Sequence, residues 1–119
     1  MSHNFRELAI WKRSLEFAID TYKTTRKLPP YEKYGLASQI QRAAASISSN
    51  IAEGSARTTN KEFSRFLDFS LGSSNEAETQ LQIARRVYPK LEIEISILYS
   101  ELRQIQKMIA AFQNGLDKE

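Results

Sequence analysis

The feature that most constrains this chain is a helical repeat of apolar residues that returns in four separate segments. In each segment, apolar side chains recur at steps of three and four residues, which places them on one face of an α-helix. Leu28-Pro29-Pro30 and Pro89 separate segments, because proline lacks an N–H and disfavours the helical region for the residue before it. Four such helices of about 20 to 28 residues, joined by short loops, predict an all-α, up-down-up-down antiparallel four-helix bundle.

Helix one is predicted at about residues 6–26, with Asn4 and Glu7 as a variant capping box. A narrower row, Ile10 and Phe17, lies on a different face from the main stripe, either as scattered surface residues or as a subunit contact. The predicted core stripe of this helix consists of Leu8, Trp11, Leu15, Ala18, Ile19 and Tyr22.

Helix two is predicted from Glu32 to a left-handed C-cap at Gly54. Its middle is rich in alanine and serine, so a neighbouring helix can approach it closely. Its predicted stripe consists of Leu36, Ile40, Ala43, Ala44, Ile47 and Ile51.

Helix three is predicted to begin at a capping box formed by Thr59 and Glu62 and to continue through Gly72. Helix four is predicted to end at Gly115. The stripe of helix three consists of Phe63, Phe66, Leu67, Leu71, Ser74, Leu81, Ala84 and Val87. The stripe of helix four consists of Leu91, Ile95, Leu98, Leu102, Ile105, Ile109 and Phe112.

Composition limits the class of protein. The 119 residues, 41% of them hydrophobic, are expected to form one domain over residues 1–119. No cysteine and no long apolar run are present, so we expect a cytoplasmic protein without disulfides. The formal net charge is +3, and cations crowd the first half of the chain whereas acids weight the end. Such asymmetry can mark a polyanion-binding face, but a net charge of +3 is also an ordinary solubility charge for a small domain.

The sequence argues against catalysis. His3 is the single histidine and is expected in a mobile N-terminus, so neither a Ser-His-Asp arrangement nor a histidine-containing di-metal site can form within one chain. We therefore expect no enzyme, no metal and no cofactor. Four glutamates are candidates for a carboxylate cluster. We interpret them instead as helix-surface acids, with room for one buried glutamate paired with Arg42 or Arg57. These glutamates are Glu53, Glu62, Glu76 and Glu78.

Five motifs together resemble one known family, the four-helix bundle proteins encoded in intervening sequences of bacterial 23S ribosomal RNA genes. The motifs are Phe5-Arg6-x-Leu8-x-Ile10-Trp11, Gly35-Leu36-x-x-Gln39-Ile40-x-Arg42-Ala43-Ala44-x-Ser46-Ile47, Asn50-Ile51-Ala52-Glu53-Gly54-x-x-Arg57, Lys61-Glu62-x-x-x-Phe66-Leu67 and Gly72-Ser73-x-x-Glu76-x-Glu78-Thr79-Gln80-Leu81. The resemblance implies a single four-helix domain. Relatives such as the accessory variability protein of diversity-generating retroelements form homopentameric barrels with a basic surface that binds RNA or DNA. The family often has proline where this chain has Ser48.

The family signature, Asn50, Glu53, Gly54 and Arg57, allows two interpretations. In the first, these residues join the end of helix two to the start of helix three, with Glu53 able to pair with Arg57 if the helix continues through Gly54. In the second, Arg57, Lys61 and Arg65 present cations along one edge for phosphates.

Two function hypotheses follow. The first is sequence-tolerant RNA or DNA binding, in which an oligomer multiplies a weak basic patch. Its predicted contacts are Lys12, Arg13, Lys23, Arg26, Lys27, Arg57, Lys61 and Arg65. The second is a protein-interaction module that docks a partner such as a reverse transcriptase through basic patches and exposed aromatics. The candidate aromatics are Phe17, Phe69, Tyr34 and Tyr99.

Self-association is a separate prediction. Apolar rows outside the main stripes would be partly exposed in a monomer and are expected to form subunit contacts. These rows consist of Ile10, Phe17, Phe69, Ile83, Ile93 and Ile97. We expect a homo-oligomer, and the resemblance implies a pentamer.

Overall fold

The computed structural model describes residues 3–119 and contains four α-helices that pack side by side, which confirms the predicted all-α four-helix fold. The helices are α1 (Ala9–Thr25), α2 (Leu36–Ser55), α3 (Asn60–Val87) and α4 (Glu92–Asp117). α1 packs on α2, α2 on α3, α3 on α4, and α4 back on α1. With short connections, this cyclic order gives the up-down-up-down arrangement. The bundle measures 46 × 22 × 20 Å.

Two helices begin later than the sequence predicts, because a short 3-10 turn precedes each of them. The first turn is Phe5–Glu7, and the Asn4 side chain accepts a hydrogen bond from the Arg6 N–H at 3.2 Å. Asn4 therefore caps this turn and not α1. The second turn is Pro30–Glu32, so Glu32 precedes α2 and does not belong to it.

The predicted C-cap at Gly54 is wrong. α2 continues to Ser55, and no glycine among residues 3–119 has a positive φ. Gly54 is buried, and a Cβ added to it would lie 2.7 Å from the Phe66 Cβ and 2.8 Å from the Phe63 Cδ1. This glycine is required because α3 passes close to the α2 backbone. The predicted end at Gly115 is also wrong, because α4 continues to Asp117.

α3 is one continuous helix across Gly72, as predicted. The Thr59 hydroxyl accepts a hydrogen bond from the Glu62 N–H at 3.1 Å, which confirms the predicted N-cap. In its middle, the buried Ser70 hydroxyl donates to the Ile47 carbonyl of α2 at 2.8 Å. Short side chains on both helices allow this close approach, and the bond satisfies a polar group that would otherwise be costly to bury.

The core face of α1 differs from the prediction. Ile10 is 4% exposed and Phe17 is fully buried, so the prediction that they form an outer row is wrong. The predicted core residues Ile19 and Tyr22 are instead 39% and 41% exposed. The true core face contains polar residues, including Thr21, whose hydroxyl donates to the Phe17 carbonyl at 2.7 Å. Hydroxyls satisfied within their own helix can face the core, so hydrophobic periodicity alone misplaces the stripe.

Candidate functional site

The excess of positive over negative charge lies at one end of the bundle. The α1–α2 and α3–α4 connections lie together there, and Lys27 Nζ is 2.6 Å from Glu94 Oε2 across them. We call residues 20–41 and 79–97 the basic end. It contains four acidic residues and seven cations, so it accounts for the whole net charge of +3. The cations are Lys23, Arg26, Lys27, Lys33, Arg85, Arg86 and Lys90.

Most of these cations have no acidic partner. Within the described residues, Lys27 is the one cation of the basic end in an ion pair. Lys33 and Arg26 line a groove of about 450 Å³ between α1 and α2, and Arg26 and Lys23 line an adjoining groove of about 380 Å³. No carboxylate is among the residues that line either groove. Cations without acidic neighbours suit a polyanionic ligand.

Three tyrosine rings lie among these cations. Tyr22, which lines both grooves, is 41% exposed, while Tyr31 and Tyr34 on the α1–α2 connection are 77% and 86% exposed. Lys33 Nζ lies 5.4 Å from the centre of the Tyr34 ring. The basic end therefore presents aromatic faces beside positive charges.

A hydrogen-bond cluster joins the two connections of the basic end. The Tyr88 hydroxyl donates to Glu32 Oε2, and the Tyr31 hydroxyl lies 3.3 Å from the same Tyr88 oxygen. Glu32 Oε1 accepts a hydrogen bond from the Leu36 N–H at 3.1 Å, at the start of α2. The bonds from Tyr88 and from Leu36 hold the pKa of the Glu32 carboxyl below its ordinary value, and the bond to Glu32 raises the pKa of Tyr88.

The lowered pKa of Glu32 predicts an acid-dependent loss of stability. The ionised carboxylate is favoured in the folded state, so its contribution is present above the unfolded pKa of about 4.5 and is lost as pH falls through the lower folded pKa. We expect Glu32→Gln to unfold with a shallower pH dependence than the wild type below about pH 5. Thermal unfolding monitored by circular dichroism between pH 3 and 7 tests this expectation. Parallel curves for the two proteins would contradict it.

The eight predicted phosphate contacts do not lie on one surface of a single chain. The basic end contains Lys23, Arg26 and Lys27. Lys12 lies near the other end of α1, at a distance of roughly 20 Å from Arg26 along the helix axis, given the rise per residue of an α-helix. Arg13 is engaged elsewhere, since it contacts Glu101 at 2.6 Å and donates to Gln104 at 3.0 Å on α4.

The remaining predicted contacts, Arg57, Lys61 and Arg65, lie at the opposite end. The Arg57 guanidinium lies 4.7 Å from the centre of the Phe66 ring. Lys61 and Arg65 line a cleft of about 890 Å³ whose other lining residues include four carboxylates. A phosphate in this cleft would meet an excess of negative charge, so the basic end is the better site for an anion. The carboxylates are Glu62, Asp68, Asp117 and Glu119.

The geometry of the family signature favours the structural interpretation. Asn50 Nδ2 donates to the Ser46 carbonyl at 2.9 Å and to the Ser46 hydroxyl at 3.0 Å, and that hydroxyl lies 2.8 Å from the Ser73 hydroxyl on α3. Gly54 provides the space for α3. Glu53 is exposed, and no ion pair joins it to Arg57 in the described chain. The signature thus fixes α2 against α3.

The residues considered for catalysis are dispersed. The His3 backbone N–H donates to the Ser55 carbonyl at 2.8 Å, and the centre of its ring lies 5.1 Å from that of Phe63. Glu78 contacts Arg103 at 3.9 Å and not the predicted arginines. In residues 3–119, no group of three or more His, Cys, Asp or Glu side chains is placed to bind a metal ion. The same residues include no helix with the length and apolar character needed to cross a membrane.

Sequence reasoning missed part of the basic end. The signal was available: Lys33 and Tyr31 follow the first proline turn, and Arg85, Arg86 and Lys90 flank the second. In an up-down-up-down bundle these two turns lie at the same end. Combining the predicted topology with the charge positions would therefore have located this excess of positive charge.

These observations define the class of protein as a four-helix bundle with a charge excess at one end. The chain belongs to the 23S rRNA-intervening sequence protein family, whose model matches residues 6–111. It is similar to the crystal structure of a protein of unknown function from the S23 ribosomal protein family of Bacteroides thetaiotaomicron, at 23% identity and a TM-score of 0.78. The alignment covers 88% of this chain and 98% of that chain, and it supports the fold alone. No curated protein matches the chain.

Proposed function

We propose that this protein is a non-enzymatic RNA- or DNA-binding protein that contacts phosphates through its basic end. The observation that supports this function is the set of six cations at that end without an acidic partner in the described chain. Lys and Arg that contact nucleic-acid phosphates release condensed counterions, which favours binding without regard to sequence. The cations are Lys23, Arg26, Lys33, Arg85, Arg86 and Lys90.

A filter-binding titration of the purified protein with RNA and with DNA tests the proposed function. We expect log K to fall linearly with log salt concentration between about 50 and 200 mM, because each phosphate contact releases counterions. Undetectable binding at the lower salt concentration, or affinity that does not change with salt, would contradict phosphate recognition.

The proposal includes self-association. A monomer with a net charge of +3 offers few phosphate contacts, and several copies would add their contacts to one nucleic acid. Four of the six predicted interface residues are exposed: Phe69 by 45%, Ile83 by 48%, Ile93 by 79% and Ile97 by 66%. Large apolar side chains exposed on two helices support a contact between copies. The resemblance to pentameric relatives suggests five copies.

Light scattering at micromolar concentration tests the assembly. We expect a mass that is a multiple of 13.7 kDa, and we expect Ile93→Lys with Ile97→Lys to lower it, because buried charges without partners oppose association. A mass near that of one chain for the wild type would contradict self-association.

A further inference from the structure

The turn of residues 29–35 displays two tyrosines in an unusual way. Tyr31 and Tyr34 are 77% and 86% exposed, although aromatic rings normally contribute most when buried. They lie one 3-10 turn apart, and the intervening Lys33 has its Nζ 5.4 Å from the centre of the Tyr34 ring. Two open rings and a cation thus occur within four consecutive residues.

The backbone that carries these rings is fixed by local bonds. The Glu32 N–H donates to the Pro29 carbonyl at 2.9 Å, the Lys33 N–H to the Pro30 carbonyl at 3.1 Å, and the Gly35 N–H to the Glu32 carbonyl at 3.0 Å. The two prolines also restrict the backbone of the turn. The rings are therefore exposed on an ordered turn. A ligand that binds to a preformed turn pays little conformational entropy.

We propose that the turn of residues 29–35 stacks unpaired bases on Tyr31 and Tyr34, so that the basic end prefers single-stranded nucleic acid to a duplex. This inference rests on the proposed function and specifies its substrate. Every base has an aromatic face that can stack on a side chain, but base pairing and stacking bury that face inside a duplex. A duplex would offer its phosphates to the cations and nothing to the exposed rings.

The grooves between α1 and α2 extend this site. The turn continues into the groove lined by Tyr22, Arg26 and Lys33, which joins the second groove beside Lys23. A strand whose bases stack on the turn has cations along this route for its next phosphates. A path that combines positive charges with aromatic rings is the arrangement typical of proteins that bind single strands without sequence preference.

Fluorescence anisotropy with labelled 12-nucleotide RNA and DNA single strands and the matching duplexes tests the inference. We expect the wild type to bind single strands more tightly than duplexes at equal salt. Tyr31→Ala with Tyr34→Ala should weaken single-strand binding by on the order of tenfold for each ring and leave duplex binding unchanged. Tyr31→Phe with Tyr34→Phe should retain single-strand binding, because it removes hydroxyls and keeps rings.

Tyr99→Ala is the matched control, since it removes a half-buried tyrosine ring of α4 that lies outside the basic end and outside the predicted subunit contacts. Circular dichroism of each variant is used to check that it is folded. Equal wild-type affinity for strands and duplexes, or unchanged single-strand binding by the double alanine variant, would overturn the inference and leave the proposed function intact. A wild type that binds neither form would overturn both. The comparison of RNA with DNA then identifies which single strand is preferred.

Discussion

Gly54→Leu is expected to destabilise the protein by about 3 kcal/mol, at the upper end of the cost of overpacking a core. The first carbon of the new side chain would already lie within 3 Å of Phe66 and Phe63, and the rest of it would require α2 and α3 to separate. Leucine favours helices more than glycine does, so helix propensity alone would predict a gain of stability. Urea unfolding monitored by circular dichroism measures the difference.

Gly72→Leu provides the control, because it makes the same substitution within α3. A Cβ at Gly72 would meet no atom within 4 Å, and the position is exposed. This variant should be more stable than the wild type by roughly 0.8 kcal/mol, the helix-propensity difference. If both variants change stability in the same direction, the close approach of α3 is not what requires Gly54.

The combined change Lys23→Gln, Arg26→Gln and Lys33→Gln should weaken nucleic-acid binding by on the order of 10² to 10³ fold at about 50 mM salt. Each lost phosphate contact removes roughly 0.7 to 0.9 from the slope of log K against log salt concentration. The slope should therefore fall by about 2 to 3. The three side chains are exposed and form no ion pair in the described chain, so their replacement should leave the fold intact.

A second triple variant separates position from total charge. Lys61→Gln, Arg65→Gln and Lys118→Gln also reduces the net charge from +3 to zero, but it changes the other end of the bundle. We expect this variant to bind nearly as tightly as the wild type. Equal losses in the two triple variants would show that binding depends on overall charge and not on the basic end.

The architecture was predictable because hydrophobic periodicity and proline turns are local signals. The Thr59 cap and the continuity of α3 followed from the same reasoning. The core face of α1 was not predicted correctly, because buried serine and threonine interrupt its apolar pattern. Ser14 and Thr21 are fully buried. The role of Gly54 depends on Phe63 and Phe66 of another helix, and glycine near a helix end normally indicates a cap.

The candidate site was predicted only in part. Cations were expected in the first half of the chain and acids near its end, but Glu94 pairs with Lys27 in the folded protein. Three of the predicted phosphate contacts lie in the basic end, and their role in binding stays a prediction: Lys23, Arg26 and Lys27. Position along the chain does not reveal which charges meet in space, because antiparallel helices bring distant segments together.

The short side chains of α2 shape both of its sides. On one side they allow contact with α3, where Ser70 bonds to the backbone at Ile47. On the other side, Ala45, Ser48 and Ser49 leave the hollow beside α1 unfilled. The contact between α2 and α3 and the hollow beside α1 therefore share one cause, and a bulkier α2 would alter both at once.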